Sequence, residues 1–155
     1  MNSAVSGADG IRRRFKILIV DDNAQNLELL EAYMEALPEV QPITATNGLD
    51  ALETVAAQRP ELILLDVMMP KMSGFEVCKH VKGDPHTRDI PIIMVTALDE
   101  IGDMERAREC GADGFITKPV DRNDLASQVR TLLGVRQFKS DRADRPASAG
   151  GEAGR

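Results

Sequence analysis

The stretch Leu62–Gly74, LILLDVMMPKMSG, runs four apolar residues straight into Asp66, then into two methionines, a proline and a Ser-Gly pair that reads as a turn. A short continuous apolar run bounded by turn residues has the form of a fully buried strand. An unpaired buried carboxylate is costly, so a strand of this kind ends on Asp66 only if something at that end requires charge.

Working outward, the same form recurs. Phe15–Val20 (FKILIV), Val40–Ala45, Leu62–Leu65, Ile92–Thr96 (IIMVT) and Gly114–Thr117 read as five strands. Helical spacing fills the intervals: Asn23–Leu37, with Leu27, Leu30, Met34 and Leu37 on one face; Gly48–Gln58, with Leu52, Val55 and Ala56 inward; Phe75–Lys82, closed by Gly83 and Pro85; and Asp99–Cys110. Asp121–Leu133 is the last helix, with Leu125, Val129 and Leu132 on one face and Gly134 as its stop. Five alternating βα units predict an α/β fold, a doubly wound parallel sheet covered on both faces. The simplest strand order is the flavodoxin-like 2-1-3-4-5, with its switch point between strands one and three.

The chain has 155 residues, 43% of them apolar, enough for one domain with tails. Residues 1–14 form a basic arm and 137–155 a polar tail or the start of a linker; both compositions predict disorder, leaving 15–136 as the folded domain. No apolar run approaches a membrane span and the N-terminus has no apolar h-region, so neither membrane insertion nor a secretory signal is expected. Cys78 and Cys110 form no C-x-x-C pair and read as reduced thiols on helices. Net charge is −6, but Phe15–Phe138 holds 12 Lys and Arg against 21 Asp and Glu, a net of −9. That acidic core argues against a surface that tracks nucleic-acid phosphates.

Ligands in such sheets bind beyond the carboxyl ends of the strands. Strand one ends in Asp21-Asp22, strand three in Asp66, strand four in Thr96-Ala97 and strand five in Thr117-Lys118-Pro119. Three carboxylates, a hydroxyl and an ammonium are thereby predicted in one cleft. Three carboxylates alone repel; a hard cation such as Mg2+ resolves this and keeps room for a phosphoryl oxygen. Lys118 and Thr96 supply a charge and a donor for further oxygens. The pattern predicts a phosphoryl-transfer site whose nucleophile is one of its own carboxylates. No P-loop motif is present, and Asp-Asp-Asn after strand one would repel a flavin phosphate.

With LIVDDN, LILLDVMMPKMSGFE, IIMVTA and GFITKP in that order, the chain resembles a bacterial two-component response regulator receiver domain, CheY-like, from about Lys16 to Leu133. The spacings Asp66 to Thr96 and Asp66 to Lys118, 30 and 52 positions, match that family. The resemblance implies that Asp66 is the phosphoacceptor. It implies Mg2+ held by Asp21, Asp22, Asp66 and the Met68 backbone carbonyl, and a phosphoryl group bound by Lys118, Thr96 and Ala97. It also implies Thr96 and Phe115 as switch residues and a cis peptide bond before Pro119. The implied function is signal relay in the cytoplasm: a sensor histidine kinase or phosphotransfer protein donates to Asp66. Contacts then switch on the face built from the fourth helix, strand five and the last helix. A downstream protein target reads that face, and the receiver is a monomer or a phosphorylation-dependent dimer. It would not be a turnover enzyme. Asp66–Pro85 and VTALDE look most like receivers found ahead of diguanylate cyclase domains, so a fragment of a larger regulator is the alternative. Ser73 departs from the family pattern, where Asp is frequent.

Each residue also has an ordinary reading. Asp66 could be a turn carboxylate, Asp21-Asp22 an N-cap pair for the first helix, Lys118 a surface lysine, Thr96 a strand residue and Phe115 core. Met68, Met69 and Met72 read as packing, since no clustered Cys or His accompanies them. His80 and His86 read as solvent-facing, and Arg12–Arg14 as solvated. An aspartate-nucleophile phosphatase would carry a second Asp two positions after the nucleophile; that position is Met68.

Overall fold

The computed structural model describes residues 14–97, 105, 106 and 108–144, the last ten as helix backbone. The elements are β1 (Phe15–Val20), α1 (Ala24–Glu35), β2 (Val40–Ala45), α2 (Gly48–Gln58), β3 (Leu62–Asp66), α3 (Gly74–Gly83), β4 (Ile92–Thr96), β5 (Gly114–Thr117) and α4 (Arg122–Asp144). All strand pairs are parallel, in the order β2-β1-β3-β4-β5, as the sequence predicts.

Every residue of β3 and β4 is buried, which is why these strands are apolar up to their last residues, Asp66 and Thr96. Alternation divides each strand between two cores. Leu18, Val20, Ile63, Leu65, Ile92 and Met94 pack with α2 and α3 through Ala51, Val55, Val77, Cys78 and Val81. Ile17, Ile19, Leu62, Leu64, Ile93 and Val95 pack on the opposite face with α1 and α4 through Leu30, Met34, Leu125 and Val129.

Several local expectations are corrected. β3 carries Asp66 itself as its last residue. In α2 the inward residues are Gly48, Ala51 and Val55, with Leu52 half-buried, whereas Ala56 is exposed. The N-cap of α1 is Asn23, whose side chain accepts from the Asn26 amide at 3.0 Å; Asp21 and Asp22 are not the cap. Asp21 instead accepts from the Asn23 amide at 2.9 Å, holding the cap from behind. Gly134 does not end the last helix, which continues to Asp144 across the start of the predicted polar tail. A glycine inside a helix costs only about 1 kcal/mol relative to alanine, and a Cβ at 134 would meet nothing within 4 Å. The predicted helix Asp99–Cys110 falls partly outside the described residues; 105, 106, 108 and 109 are helical. Residues 1–13 and 145–155 also lie outside them.

Candidate functional site

Strand register assembles the site. Val20 pairs with Leu65, so the next residues, Asp21 and Asp66, come out of the sheet side by side. Asp66 pairs with Val95, placing Thr96 one step further along β4, and Thr96 pairs with Thr117, placing Lys118 just beyond the end of β5. The Lys118 amide donates to the Thr96 carbonyl at 2.7 Å, and the Lys118–Pro119 peptide bond is cis. The Lys118 ammonium then reaches inward, 3.1 Å from Asp66 Oδ1 and 3.4 Å from Asp21 Oδ2.

Asp21 and Asp66 are 1% and 4% exposed, while Asp22 faces solvent. Burial of Asp66 and the negative charge of Asp21 push its carboxyl up to about 6 from an ordinary 3.8; Lys118 opposes the shift without cancelling it. Three carboxylates therefore confront an ammonium that touches only two of them. Carboxylate oxygens of Asp21, Asp22 and Asp66 lie within 4.8 Å of one another. Such an all-oxygen set is the donor chemistry that a hard cation such as Mg2+ takes. The residues fit that ion.

The loop from β3 to α3 is shaped by close approach. The Gly74 amide donates to the Val67 carbonyl at 2.9 Å. A Cβ on Gly74 would collide with the Asp66 carbonyl oxygen and lie 2.9 Å from the Val67 Cα. Only glycine lets α3 begin this close to the end of β3. Lys71 takes a positive φ of 68° within the same loop. Ser73 caps α3 in a reciprocal capping box, accepting from the Glu76 amide at 3.3 Å while Glu76 Oε1 accepts from the Ser73 amide at 2.9 Å. The S-x-x-E signature of that box is present in the sequence.

The remaining predicted residues lie at different depths. Thr96 is fully buried, Ala97 is exposed, and Phe115 is half-buried against the α2–α3 core. The methionines divide. Met69 is buried and Met72 packs against Gly48, but Met68 is 60% exposed, so it is not a packing residue. It directly follows the buried Asp66-Val67 pair. His80 and His86 are both exposed.

The model of the response regulator receiver domain matches residues 17–130. The chain belongs to this family. The receiver is 44% identical to the response regulator PleD of Caulobacter vibrioides over 133 residues, which cover 86% of this chain and 29% of PleD. It is 39% identical to the polar-differentiation response regulator DivK of Brucella anthropi over 118 residues, 76% of this chain and 95% of DivK. It thus spans less than a third of the one relative and nearly all of the other. Among solved structures, it resembles the signal receiver domain of a signal transduction histidine kinase from Syntrophus aciditrophicus at 42% identity and a TM-score of 0.72, covering 77% of this chain and 90% of that one. The chemotaxis protein CheY4 of Vibrio cholerae gives 27% identity and a TM-score of 0.72, covering 77% and 98%. The receiver is therefore a component of two-component signalling with a CheY-like, flavodoxin-like fold. No helix among its described residues is long and apolar enough to cross a membrane.

Proposed function

We propose that this receiver accepts a phosphoryl group on Asp66 and converts it into altered protein contacts on the face formed by the predicted helix Asp99–Cys110, which lies only partly among the described residues, with β5 and α4. The observation that carries the reading is the Asp66–Lys118 pair, 3.1 Å apart, its carboxylate buried beside others that Lys118 does not fully offset.

The donor is a phosphohistidine of a sensor kinase or phosphotransfer protein, or a small acyl phosphate. A carboxylate oxygen of Asp66 attacks phosphorus in line. The P–N or P–O bond to the donor breaks, and the leaving group keeps the electron pair: an imidazole takes a proton from solvent, whereas a carboxylate leaves as the anion. Asp66 then holds a mixed carboxylic–phosphoric anhydride. Lys118 moves from the free carboxylate to a phosphoryl oxygen, while the Thr96 hydroxyl and the Ala97 amide donate to others. Mg2+, held by Asp21, Asp22, Asp66 and the Met68 carbonyl, supplies positive charge for the transferring oxygens when bound. Thr96, fully buried at the end of β4, shifts toward the phosphoryl group, and Phe115 takes up the space it leaves.

The protein is an acceptor rather than a turnover enzyme. A phosphatase reading is disfavoured because the second-acid position is Met68, whose side chain is largely exposed. Cytoplasmic location, a downstream protein target and a monomer or phosphorylation-dependent dimer belong to the same proposal. The coverage of PleD favours a receiver within a larger regulator and that of DivK a stand-alone one; the reading frame of the native gene decides between them.

Intact mass spectrometry after incubation with acetyl phosphate and Mg2+ tests the chemistry. One added phosphoryl group is expected, absent without Mg2+ and absent in Asp66→Asn. A gain that survives Asp66→Asn moves the acceptor elsewhere and overturns the proposal.

A further inference from the structure

Cys78 and Cys110 lie 32 positions apart in sequence but meet in the folded core. Cys78 sits on the inward face of α3 and is fully buried, and its thiol donates to the carbonyl oxygen of Cys110 at 3.3 Å. Neither is in a disulfide.

The turn that carries Cys110 is fastened onto α3 by further contacts. Gly111 turns the chain with a φ of +96°, and a Cβ there would lie 3.0 Å from the Lys82 Cγ. The Lys82 ammonium reaches Asp113 at 2.9 Å. The turn just after Cys110 is therefore fastened to α3, which keeps Cys110 against the Cys78 thiol. The chemistry assigned to Asp66, Lys118 and Thr96 uses neither thiol.

We propose that Cys78 and Cys110 form a redox-active dithiol that closes to an intramolecular disulfide on reaction with a hydroperoxide, tying α3 to the turn before β5.

Cys110 is the attacking thiol. It is 8% exposed where Cys78 is fully enclosed, so it is the sulfur that an oxidant reaches first. The neighbouring Cys78 thiol also lowers the Cys110 thiol below its ordinary range, while the proximity of Cys110 and burial push the Cys78 thiol up. The Cys110 thiolate attacks the peroxide oxygen. The O–O bond breaks, and the departing oxygen leaves as an alcohol or, from hydrogen peroxide, as water. Cys110 is now a sulfenic acid. The Cys78 sulfur attacks the Cys110 sulfur, the S–O bond breaks, and hydroxide leaves with the Cys78 proton as water. Two thiols are oxidised by two electrons and one peroxide is reduced.

The bond would restrain the segment that leads into β5 and Phe115. This consequence rests on the switch reading given above, whereas formation of the bond does not.

The test treats the reduced protein with hydrogen peroxide, alkylates it with N-ethylmaleimide in denaturant and weighs it intact. The expected product is a monomer that has lost two hydrogens and both alkylation sites, with dithiothreitol restoring both. Cys78→Ser should stop at a sulfenic acid on Cys110 that dimedone traps, and Cys110→Ser should react at least about tenfold more slowly than wild type. Retention of both alkylation sites in the wild-type protein, or coupling only between molecules, overturns the proposal without reliance on either variant. For the restraint, acetyl phosphate should load Asp66 equally in both redox states, while amide shift changes across Gly114–Thr117 should be smaller in the oxidised protein. Equal shift changes overturn the restraint. Failure to load in both states counts against the Asp66 reading alone.

Discussion

Two Lys–Asp pairs stand at opposite ends of the same sheet, and they behave oppositely. At the amino end, Lys82 donates to Asp113 Oδ2 at 2.9 Å, to the Ile90 carbonyl at 2.7 Å and to the Arg88 carbonyl at 3.1 Å. Asp113 Oδ2 also accepts the Ile92 amide at 2.9 Å. All three ammonium protons have acceptors there, and the carboxylate has a cation and an amide. The pair bolts α3 to the start of β4 and to the turn before β5. At the carboxyl end, Lys118 is divided between Asp21 and Asp66, with Asp22 close by. The residue types are the same, but here negative charge is left over. A satisfied pair fastens elements together; an under-compensated one stores a demand for a cation or for a group that changes its charge.

The contrast makes three predictions about stability, in decreasing size. The largest is that the acidic cleft weakens the metal-free protein. Asp66 has a folded value of about 6 against an ordinary 3.8. The folded state therefore holds a proton that the unfolded chain has released, and stability falls as pH rises from about 4 to about 6. Above that window the penalty is complete. Asp66→Asn should raise the stability of the metal-free protein at pH 7 by up to about 3 kcal/mol, with little difference from wild type at pH 4. Urea melts at the two pH values measure it. Saturating Mg2+ should stabilise wild type and so shrink the gap. A destabilised Asp66→Asn protein at pH 7 would mean that Lys118 already balances the cleft.

The second prediction runs the other way at the bolt. Lys82→Met keeps most of the side-chain volume but leaves Asp113 and two carbonyls without their donor. It should cost about 2 kcal/mol, read as a lower denaturation midpoint. Phosphoryl uptake at Asp66, measured by intact mass, should be unchanged. Loss of uptake in a folded Lys82→Met protein would show that the two ends are coupled and the contrast false.

The smallest effect separates support of the site from its charge. Ser73→Ala removes one half of the capping box that starts α3 and should cost about 1 kcal/mol, visible as a small shift in thermal midpoint at every pH. A pH-dependent loss would instead tie Ser73 to the titration of Asp66.

Much of this was legible beforehand for a physical reason. The central strands of a doubly covered parallel sheet are nearly continuous apolar runs, and the edge strands β2 and β5 are set off by the helical spacing on either side, so β1, β2, β4 and β5 stand in the sequence with the bounds they have in the fold. The change from apolar to acidic at Val20-Asp21 and Leu65-Asp66 marks the carboxyl ends, where such sheets bind ligands. That is why Asp21, Asp22, Asp66 and Lys118 could be grouped before any distance was known.

What the chain alone did not decide were choices among locally equivalent options. Asp21, Asp22 and Asn23 are all good helix caps, and only the placement of the two carboxylates at the cleft leaves the cap to Asn23. Gly134 is a plausible helix stop by local preference, yet α4 carries on through it, because propensity is weak beside the packing of the preceding turns through Leu125, Val129 and Leu133. Met68 and Met69 are chemically identical, and the direction of the loop sends one outward and the other into the core. The pairings Lys82–Asp113 and Cys78–Cys110 join residues 31 and 32 positions apart. Such contacts depend on where α3 lies beside the turn before β5. Composition and periodicity determine which elements form and what chemistry their ends carry, since those are local properties of the chain; tertiary packing alone decides which distant side chains touch, and hence which lysine is spent as a bolt and which is left to a reaction.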